Sequence, residues 1–158
     1  MRDEPRRPPI GLFRMANHVV RPLLRSPLHG LLSGRLMLLA YRGRRTGQEH
    51  TIPIGYFALG DDVVIAFSSA RWWVNLLDGR PVRVRLRGRW HDAVPTVATS
   101  TEDRAALLAA FVRRYGPRRA GRLPLGLPGD REPTTEELQR GAARMPIIRL
   151  TLTRPAGR

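Results

Sequence analysis

The sequence contains no cysteine, and it also lacks lysine, long apolar runs and paired metal-ligand motifs. Without cysteine there is neither a disulfide framework nor a thiolate metal site, and the redox compartment is left undefined. Strictly apolar runs such as Leu36 to Tyr41 are far too short to span a bilayer. The first residues, MRDEPRRPPIGLF, are too charged and too rich in proline for a secretory signal. A cytoplasmic location is therefore expected.

Several kinds of catalytic site are also missing. The four histidines, His18, His29, His50 and His91, share no ligand spacing with one another or with a pair of carboxylates. His91 and Asp92 are adjacent in a predicted strand, so their side chains point to opposite faces. The sequence has no G-x-S-x-G nucleophile motif and no G-x-G-x-x-G dinucleotide motif. A hydrolase, a metalloenzyme and a nicotinamide enzyme are disfavoured, and we predict no metal ligand and no catalytic acid or base.

What the sequence does contain is arginine. The formal net charge is +15 over 158 residues, and all 28 basic residues are arginine. The absence of lysine suggests a GC-rich genome, so part of this charge reflects coding bias. The remainder favours anionic ligands, nucleic acid or an anionic membrane surface as partners.

The chain is long enough for one domain. Residues 1–9 are rich in proline and arginine and are predicted to be a disordered tail, with a single domain over residues 10–158. From Leu12, apolar residues recur at helical spacing until Pro22, and a shorter helix is predicted from Ser26 to Gly34. We favour packing of the first helix on the core. A basic amphipathic segment can also lie on an anionic membrane, so peripheral contact with the inner face stays an open alternative.

The remaining residues are dominated by strand patterns. Six strands are predicted: Leu36 to Arg42, Gln48 to Leu59, Val63 to Phe67, Val82 to Leu86, Trp90 to about Ala98 and Ile147 to Thr153. Pro53 cannot donate to a strand ladder, which places the second strand at an edge or a bulge. Hairpin-length connections favour a mainly β protein with flanking helices (α+β), built as a small, mostly antiparallel barrel.

Three helices are predicted beside these strands. Ser68 and Ser69 are expected to cap a short helix from Arg71 to Asp78. A longer helix begins within Thr99 to Asp103 and ends at Gly116, and a capping box at Thr134 and Glu137 opens the last helix, which runs to about Arg144. Residues 116–133, between these helices, form a Gly/Pro/Arg loop that is either functional or disordered.

The turn between the first two strands contains Arg44, Arg45 and Thr46 between Gly43 and Gly47. Glycines permit positive φ and close approach of a ligand, and successive amides with two guanidiniums and a hydroxyl suit a phosphate or carboxylate. From these residues alone, a basic hairpin tip in solvent is the simpler interpretation.

A second notable stretch follows the third strand. Trp72 and Trp73 point about 100° apart on a helix, so one can pack inward while the other borders a cleft. Asn75 lies on the same side as Trp72, and an amide beside a flat aromatic suits a heteroaromatic ring with imide edges. A core tryptophan with a surface asparagine would give the same pattern.

The combination of these motifs is more specific. A Gly-Arg-Arg-Thr-Gly turn, Thr-x-Pro-Ile in the next strand, a serine after the third strand and then Trp-Trp-x-Asn-Leu occur in this order. This pattern resembles the deazaflavin-dependent nitroreductase family, also called the deazaflavin-dependent quinone reductases, of the split-barrel flavin-binding superfamily. The resemblance extends over about Leu36 to Val97 and implies a split β-barrel.

The resemblance also implies a cofactor, coenzyme F(420), an 8-hydroxy-5-deazaflavin whose tail carries a phosphate and several glutamates. It implies phosphate contacts on the turn, ring contacts from the second strand and a pocket lined by the short helix. The implied cofactor-binding residues are Arg44, Arg45, Thr46, His50, Pro53, Ile54, Ser68, Arg71, Trp72 and Asn75. Two positions depart from the family pattern. Ser69-Ala70-Arg71 stands where many members have two glycines and a basic residue, and Gly55 stands where some have a substrate-side tyrosine.

The predicted function is hydride transfer from the reduced deazaflavin to a quinone-like or nitro acceptor, a small molecule. Three alternatives remain open. They are a split-barrel oxidoreductase that uses FMN, a coenzyme carrier without turnover, and a basic nucleic-acid-binding protein that uses Arg83, Arg85 and Arg87. Nucleic acid is disfavoured because only three tryptophans could stack on bases, and two of them adjoin in a helix.

Overall fold

The structure is a computed structural model that describes residues 36–68 and 70–153, all within one compact unit, Leu36–Arg158. The predicted tail, the two predicted N-terminal helices and their membrane contact lie outside the described residues. Seven strands are present: β1 Leu36–Arg42, β2 Glu49–Gly55, β3 Phe57–Ala58, β4 Val63–Phe67, β5 Val82–Leu86, β6 Arg89–Ala98 and β7 Ile147–Thr153. The helices are a 3₁₀ helix Arg71–Leu76, α1 Thr101–Tyr115, α2 Pro117–Ala120 and α3 Thr135–Ala142.

The strands form one antiparallel sheet in the order β2-β1-β5-β6-β7-β4-β3. Because β2 also approaches β4, the sheet curls so that its two ends face each other. This is the split β-barrel with flanking helices that the sequence predicts. Pro53 lies in β2 at one end of the sheet, as its missing N–H requires.

The single strand predicted from Gln48 to Leu59 is divided in two. β2 pairs with β1, whereas β3 pairs with β4 at the other end of the sheet. Between them, the side chain of Tyr56 is buried in the barrel core. The chain therefore crosses the split of the barrel at Tyr56, and for this reason the sheet has seven strands rather than about six.

Alternation along the strands fills the inside of the curl. In β5, Val82, Val84 and Leu86 are buried while Arg83 and Arg85 are exposed. This pattern agrees with the alternation that the sequence predicts. The residues opposite them in β1, such as Leu39, belong to the same apolar cluster, which also contains Ile148 and Leu150 of β7.

A second apolar cluster lies between the helices and the other face of β4 and β7. It contains Ile65 and Ile147 from these strands and Leu108 and Phe111 from α1. The segment 116–133 contributes to it: α2 begins this segment, and Ala120, Leu125 and Leu127 are buried. The apolar residues of this segment therefore belong to the core, because they pack in the same cluster as α1, and the prediction that the segment is disordered is wrong.

The helix ends follow the local signals in two of three cases. Ser100 Oγ accepts from the amide of Asp103 at the start of α1. The capping box of α3 is present, with Thr134 and Glu137 bonded to each other's amides. The predicted cap of the 3₁₀ helix is wrong, because its N-cap is Ala70 and no side chain caps it. Among the described residues, no helix has the length and hydropathy needed to cross a membrane.

Candidate functional site

The turn between β1 and β2 is held by its own backbone. The amide of Gly43 donates to the carbonyl of Gln48 at 2.7 Å, and the amide of Gly47 donates back to the carbonyl of Gly43 at 2.8 Å. Gly47 has a φ of 68°, a left-handed conformation that favours glycine. The turn is thus a closed loop with a defined backbone and not a frayed tip.

Two amides of this turn have no partner within the described chain. The amide of Gln48 donates to Thr46 Oγ1 at 3.3 Å, and that of Arg44 donates to Asn75 Oδ1 at 2.9 Å. The amides of Arg45 and Thr46 make no hydrogen bond there. Since Thr46 Oγ1 accepts a bond from Gln48, its own proton remains available for donation. Two adjacent amides and one hydroxyl can therefore donate to the same anion.

The positive charges of the turn are also available. Arg44 and Arg45 are exposed, and neither forms an ion pair within the described residues. Arg42, at the end of β1, differs because its guanidinium lies 3.4 Å from Glu49. Arg44 and Arg45, the two arginines of the motif, can therefore bind a phosphate without breaking an ion pair with a carboxylate.

His50 reaches the same turn from β2. A Cβ placed on Gly43 would lie 2.8 Å from Thr46 Oγ1 and 3.3 Å from His50 Nε2. These polar atoms therefore converge over the buried α-carbon of Gly43, in space that any larger residue would occupy. The turn thereby gathers four of the predicted residues, Arg44, Arg45, Thr46 and His50.

His50 is oriented by a residue that sequence reasoning missed. Its ring stacks on that of Tyr41 with centroids 5.4 Å apart and an angle of 29° between the planes. Burial raises the pKa of the Tyr41 phenol above its usual value, so the ring stays neutral near physiological pH. The only sequence signal was the position of Tyr41 on the inward-facing side of β1.

Asn75 links the turn to the 3₁₀ helix. Its Oδ1 accepts from Arg44, and its Nδ2 donates to the carbonyl of Trp72 at 3.0 Å. The side chain is partly buried. Both ends of the amide are therefore occupied by backbone groups, which makes Asn75 a residue that positions the turn.

The other residues of the second stretch pack close to the core. Trp72 and Trp73 are both partly buried, and both contact the cluster inside the barrel. Both rings therefore pack inward, and each also keeps some exposed surface. Ser68 is buried, and its hydroxyl donates to the carbonyl of Ala70 at 2.9 Å and accepts from its amide. Arg71 is exposed at the start of the 3₁₀ helix.

Pro53 and Ile54 are neighbours in β2, so their side chains point to opposite faces of the sheet. Ile54 packs against the barrel cluster. Pro53 is opposite Leu38 in the register and lies on the other face. A flat ring that contacts both residues must therefore lie along the edge of β2, at the split of the barrel.

A cavity of about 350 Å³ lies beside the turn. Asn75 is the only one of the ten predicted residues that lines it. The other walls come from β1, the start of β2, β5, β6 and the segment after the 3₁₀ helix, and they include Tyr41, Glu49, Arg80 and Asp92. The cavity therefore lies beside the turn, and neither Pro53 nor Ile54 lines it. In the described part of the chain, no group of three or more histidine, aspartate or glutamate side chains could hold a metal ion.

These observations define a split β-barrel whose first hairpin carries an ordered turn with two amides and two arginines that have no partner within the described residues. The model of the F420H(2)-dependent quinone reductase family matches residues 12–121, which is well over half of the chain. The chain belongs to this family, as its motifs suggest. No curated protein sequence matches it.

Solved structures with the same kind of fold are distant in sequence. A reductase described as F420-H2 dependent, FDR-A, is 15% identical, with 73% of this chain and 93% of that chain covered and a TM-score of 0.47. The heme storage protein HutZ from Vibrio cholerae is 12% identical, with 89% and 92% covered and a TM-score of 0.47. A protein from Bacteroides thetaiotaomicron described as a putative 5-nitroimidazole antibiotic resistance protein is 8% identical, with 78% and 76% covered and a TM-score of 0.49. Similarities this low do not indicate what activity this protein has.

The residues present fit a phosphate-bearing deazaflavin. The turn offers two unused amides, one hydroxyl and two unpaired guanidiniums to a phosphate. The edge of β2 offers an apolar border to a ring at Pro53 and Ile54. These are the two kinds of contact that coenzyme F(420) requires.

Proposed function

We propose that the protein is an oxidoreductase that binds reduced coenzyme F(420) and passes a hydride to a quinone-like or nitro acceptor. The observation that carries the proposal is the preorganised turn, in which Asn75 fixes the backbone of Arg44 while the amides of Arg45 and Thr46 stay unpaired. Membership in the F420H(2)-dependent quinone reductase family supports the choice of cofactor. The acceptor class is part of the proposal, as is the cytoplasmic location that the sequence predicts.

The chain's own residues have a limited task in this reaction. When bound, the reduced coenzyme supplies the hydride, and the protein supplies binding, orientation and exclusion of water. Arg44, Arg45 and Thr46 hold the phosphate, with His50 beside them. The edge of β2 at Pro53 and Ile54 borders the ring, and Trp72 closes the pocket near Ser68. Arg71 is exposed at the start of the 3₁₀ helix and adds positive charge for the acidic tail.

Reduction of a quinone to a hydroquinone by a hydride also consumes one proton. His50 stacks on Tyr41 beside the turn, and His91 lies in β6, away from Pro53 and Ile54. We therefore expect water or the coenzyme to supply this proton. His50→Gln and His91→Gln should keep the chemical step within about tenfold, below the usual 10²–10⁴ contribution of a general acid or base.

The three alternatives differ in what they require. FMN would place its phosphate on the same turn, but the family match gives it no support. A carrier would bind the coenzyme and not oxidise it. A nucleic-acid-binding protein would use the exposed arginines of β5, and there Arg83 already covers one face of Trp90 at 4.9 Å from the ring centroid.

Two measurements test the proposal. Parallel absorbance titrations with coenzyme F(420) and with FMN should give tighter binding of the deazaflavin; equal or tighter FMN binding contradicts it. Single-turnover oxidation of the bound reduced deazaflavin by menadione or a nitroaromatic compound should then proceed. Tight binding without oxidation by any acceptor would favour the carrier. A rate that collapses in either histidine variant with binding intact would reveal an acid that the proposal lacks.

A further inference from the structure

We propose that the β5–β6 hairpin is a docking surface for an anionic lipid membrane. Four arginines, Arg83, Arg85, Arg87 and Arg89, lie within seven residues of this hairpin, and all four are exposed. None of them forms an ion pair within the described chain, where three other arginines do. The hairpin is thus a dense patch of positive charge, in which the four arginines outnumber the one acidic residue opposite them, Asp92.

The hairpin tip is rigid enough to present this charge. Its two turn residues, Arg87 and Gly88, have φ values of 47° and 82°. Two positive φ values in a two-residue turn match the twist of the flanking strands. Arg85 also donates from Nε to the carbonyl of Gly88 at 3.4 Å. The guanidiniums are therefore carried by a tight hairpin whose inward residues, Val84 and Leu86, are anchored in the core.

Apolar side chains lie beside Arg83 and Arg85 on the outer face of the hairpin. Trp90 is opposite Arg85 in the register and 41% exposed, and Val94 on the same face of β6 is 40% exposed. The guanidinium of Arg83 lies over the Trp90 ring. Arginine beside a half-exposed tryptophan is typical of surfaces at the boundary between lipid headgroups and acyl chains. A purely solvated face would have no need of the exposed ring.

The position of the hairpin relative to the proposed site favours a membrane as partner. Leu38 in β1 is opposite Pro53 on one side and Arg85 on the other, so these two residues are lateral neighbours across one strand, about 10 Å apart. Both lie on the same face of the sheet. The choice of lipid rests in part on the proposed function, because quinones are lipid-soluble. A protein docked through this hairpin would hold the edge of β2 near the bilayer.

Other partners fit this surface less well. A second copy of the chain would bring like charges together. Nucleic acid would meet the same arginines, but base stacking is limited because Arg83 covers one face of Trp90. These partners are outcomes of the test.

The test is co-sedimentation of the full chain, without coenzyme, with vesicles of phosphatidylcholine alone or with 30% phosphatidylglycerol. The hairpin variant R83Q/R85Q/R87Q/R89Q is compared with R113Q/R114Q/R118Q/R122Q, which removes four exposed, unpaired arginines from the helical side. Each arginine at an anionic surface contributes about fivefold, so the hairpin variant should bind anionic vesicles several hundredfold more weakly. The control variant should lose much less.

A second readout reports where the hairpin lies. Brominated lipids should quench the fluorescence of the bound protein, and Trp90→Phe should remove most of that quenching, because Trp72 and Trp73 are partly buried against the core. Equal losses in the two arginine variants, no preference for anionic vesicles, or unchanged quenching in Trp90→Phe would overturn the proposal. If duplex DNA displaces the protein from vesicles, and this displacement is lost in the hairpin variant, the partner of this surface is nucleic acid and not a membrane.

The result is separable from the proposed function. The hairpin variant should oxidise the reduced deazaflavin normally with menadione in the absence of vesicles and poorly with a long-chain quinone embedded in anionic vesicles. If neither protein turns over any acceptor while vesicle binding still depends on the hairpin, the proposed function fails and the docking surface stands. If the hairpin variant and the unsubstituted protein reduce the embedded quinone at equal rates, docking through the hairpin does not deliver the protein to its acceptor.

Discussion

The backbone amide of Arg44 donates a 2.9 Å hydrogen bond to the side-chain oxygen of Asn75, 31 residues further along the chain. The same amide group of Asn75 donates to the carbonyl of Trp72. One side chain therefore fixes the turn between β1 and β2 and connects it to the 3₁₀ helix. Under the proposed function, Asn75 shapes the phosphate site, whereas the family resemblance suggested contact with the ring.

Asn75→Ala should weaken binding of coenzyme F(420) about 2- to 10-fold, the effect of one lost hydrogen bond that holds the turn. The deazaflavin chromophore without its phosphate-bearing tail should bind equally to the two proteins. Fluorescence titration with both ligands measures the difference. If the chromophore alone also loses affinity, Asn75 contacts the ring and our assignment is wrong.

Arg45→Ala should reduce coenzyme affinity about 10- to 150-fold, because a charge-assisted hydrogen bond is worth roughly 1.5–3 kcal/mol. Arg45 is exposed and has no ion-pair partner in the described chain, so the melting temperature should barely change. Arg113→Ala, an exposed arginine on α1, is the control for net charge. If Arg45→Ala lowers the melting temperature but binds coenzyme F(420) normally, Arg45 stabilises the fold and does not contact the coenzyme.

Gly43→Ala should also weaken coenzyme binding, by about tenfold or more, the cost of one lost charge-assisted contact. The new Cβ would lie 2.8 Å from Thr46 Oγ1, so the hydroxyl must rotate away from the turn. Gly60→Ala is the matched control, because a Cβ there meets nothing within 4 Å. Unchanged affinity in Gly43→Ala would show that the Thr46 hydroxyl does not contact the ligand.

Local signals in the sequence were sufficient for much of this fold. Pro53 marks an edge strand because a missing N–H has the same consequence in any sheet, and the Thr134–Glu137 capping box is satisfied within four residues. The alternation in β5 identifies its buried face without knowledge of its partners. These features needed no information about distant parts of the chain.

The errors arose where distant residues decide the structure. The strand pattern from Gln48 to Leu59 is continuous, and only the change of pairing partner at Tyr56 divides it. Leu125 and Leu127 are buried because α1 lies beside them, although proline and glycine dominate their local sequence. In the site, the motif indicated Arg44 and Arg45. The link to Asn75 and the stacking of Tyr41 on His50 depend on tertiary contacts that spacing does not reveal.

The burial of the segment 116–133 makes a separate prediction about stability. Gly121→Ala should destabilise the protein by about 1–3 kcal/mol, as overpacking commonly does. The new Cβ would lie 2.6 Å from the backbone α-carbon of Gly129, which cannot rotate away. Urea unfolding measures the change, with Gly60→Ala as the control. Equal stabilities would show that this segment is not packed as described.

The last prediction concerns the start of α3 in acid. Arg131 donates two hydrogen bonds to Glu137, at 2.9 and 2.7 Å, and the amide of Thr134 donates a third at 2.8 Å. These bonds stabilise the carboxylate and lower the pKa of Glu137 from 4.5 to about 2, with Arg131 as the main cause. A carboxyl whose pKa is lower in the folded state stabilises the fold above its unfolded pKa, and this contribution is lost as the pH falls toward the folded pKa. The contribution of Glu137 should therefore be complete above about pH 4.5 and disappear between there and about pH 2.

Glu137→Gln should lower the melting temperature at pH 6, and the difference from the unsubstituted protein should shrink steadily as the pH falls from about 4.5 to about 2. Glu136→Gln, in the same helical turn but without an ion pair in the described chain, should show no such trend. A difference between Glu137→Gln and the unsubstituted protein that stays constant from pH 6 to pH 2 would mean that the Arg131–Glu137 pair does not stabilise the folded state.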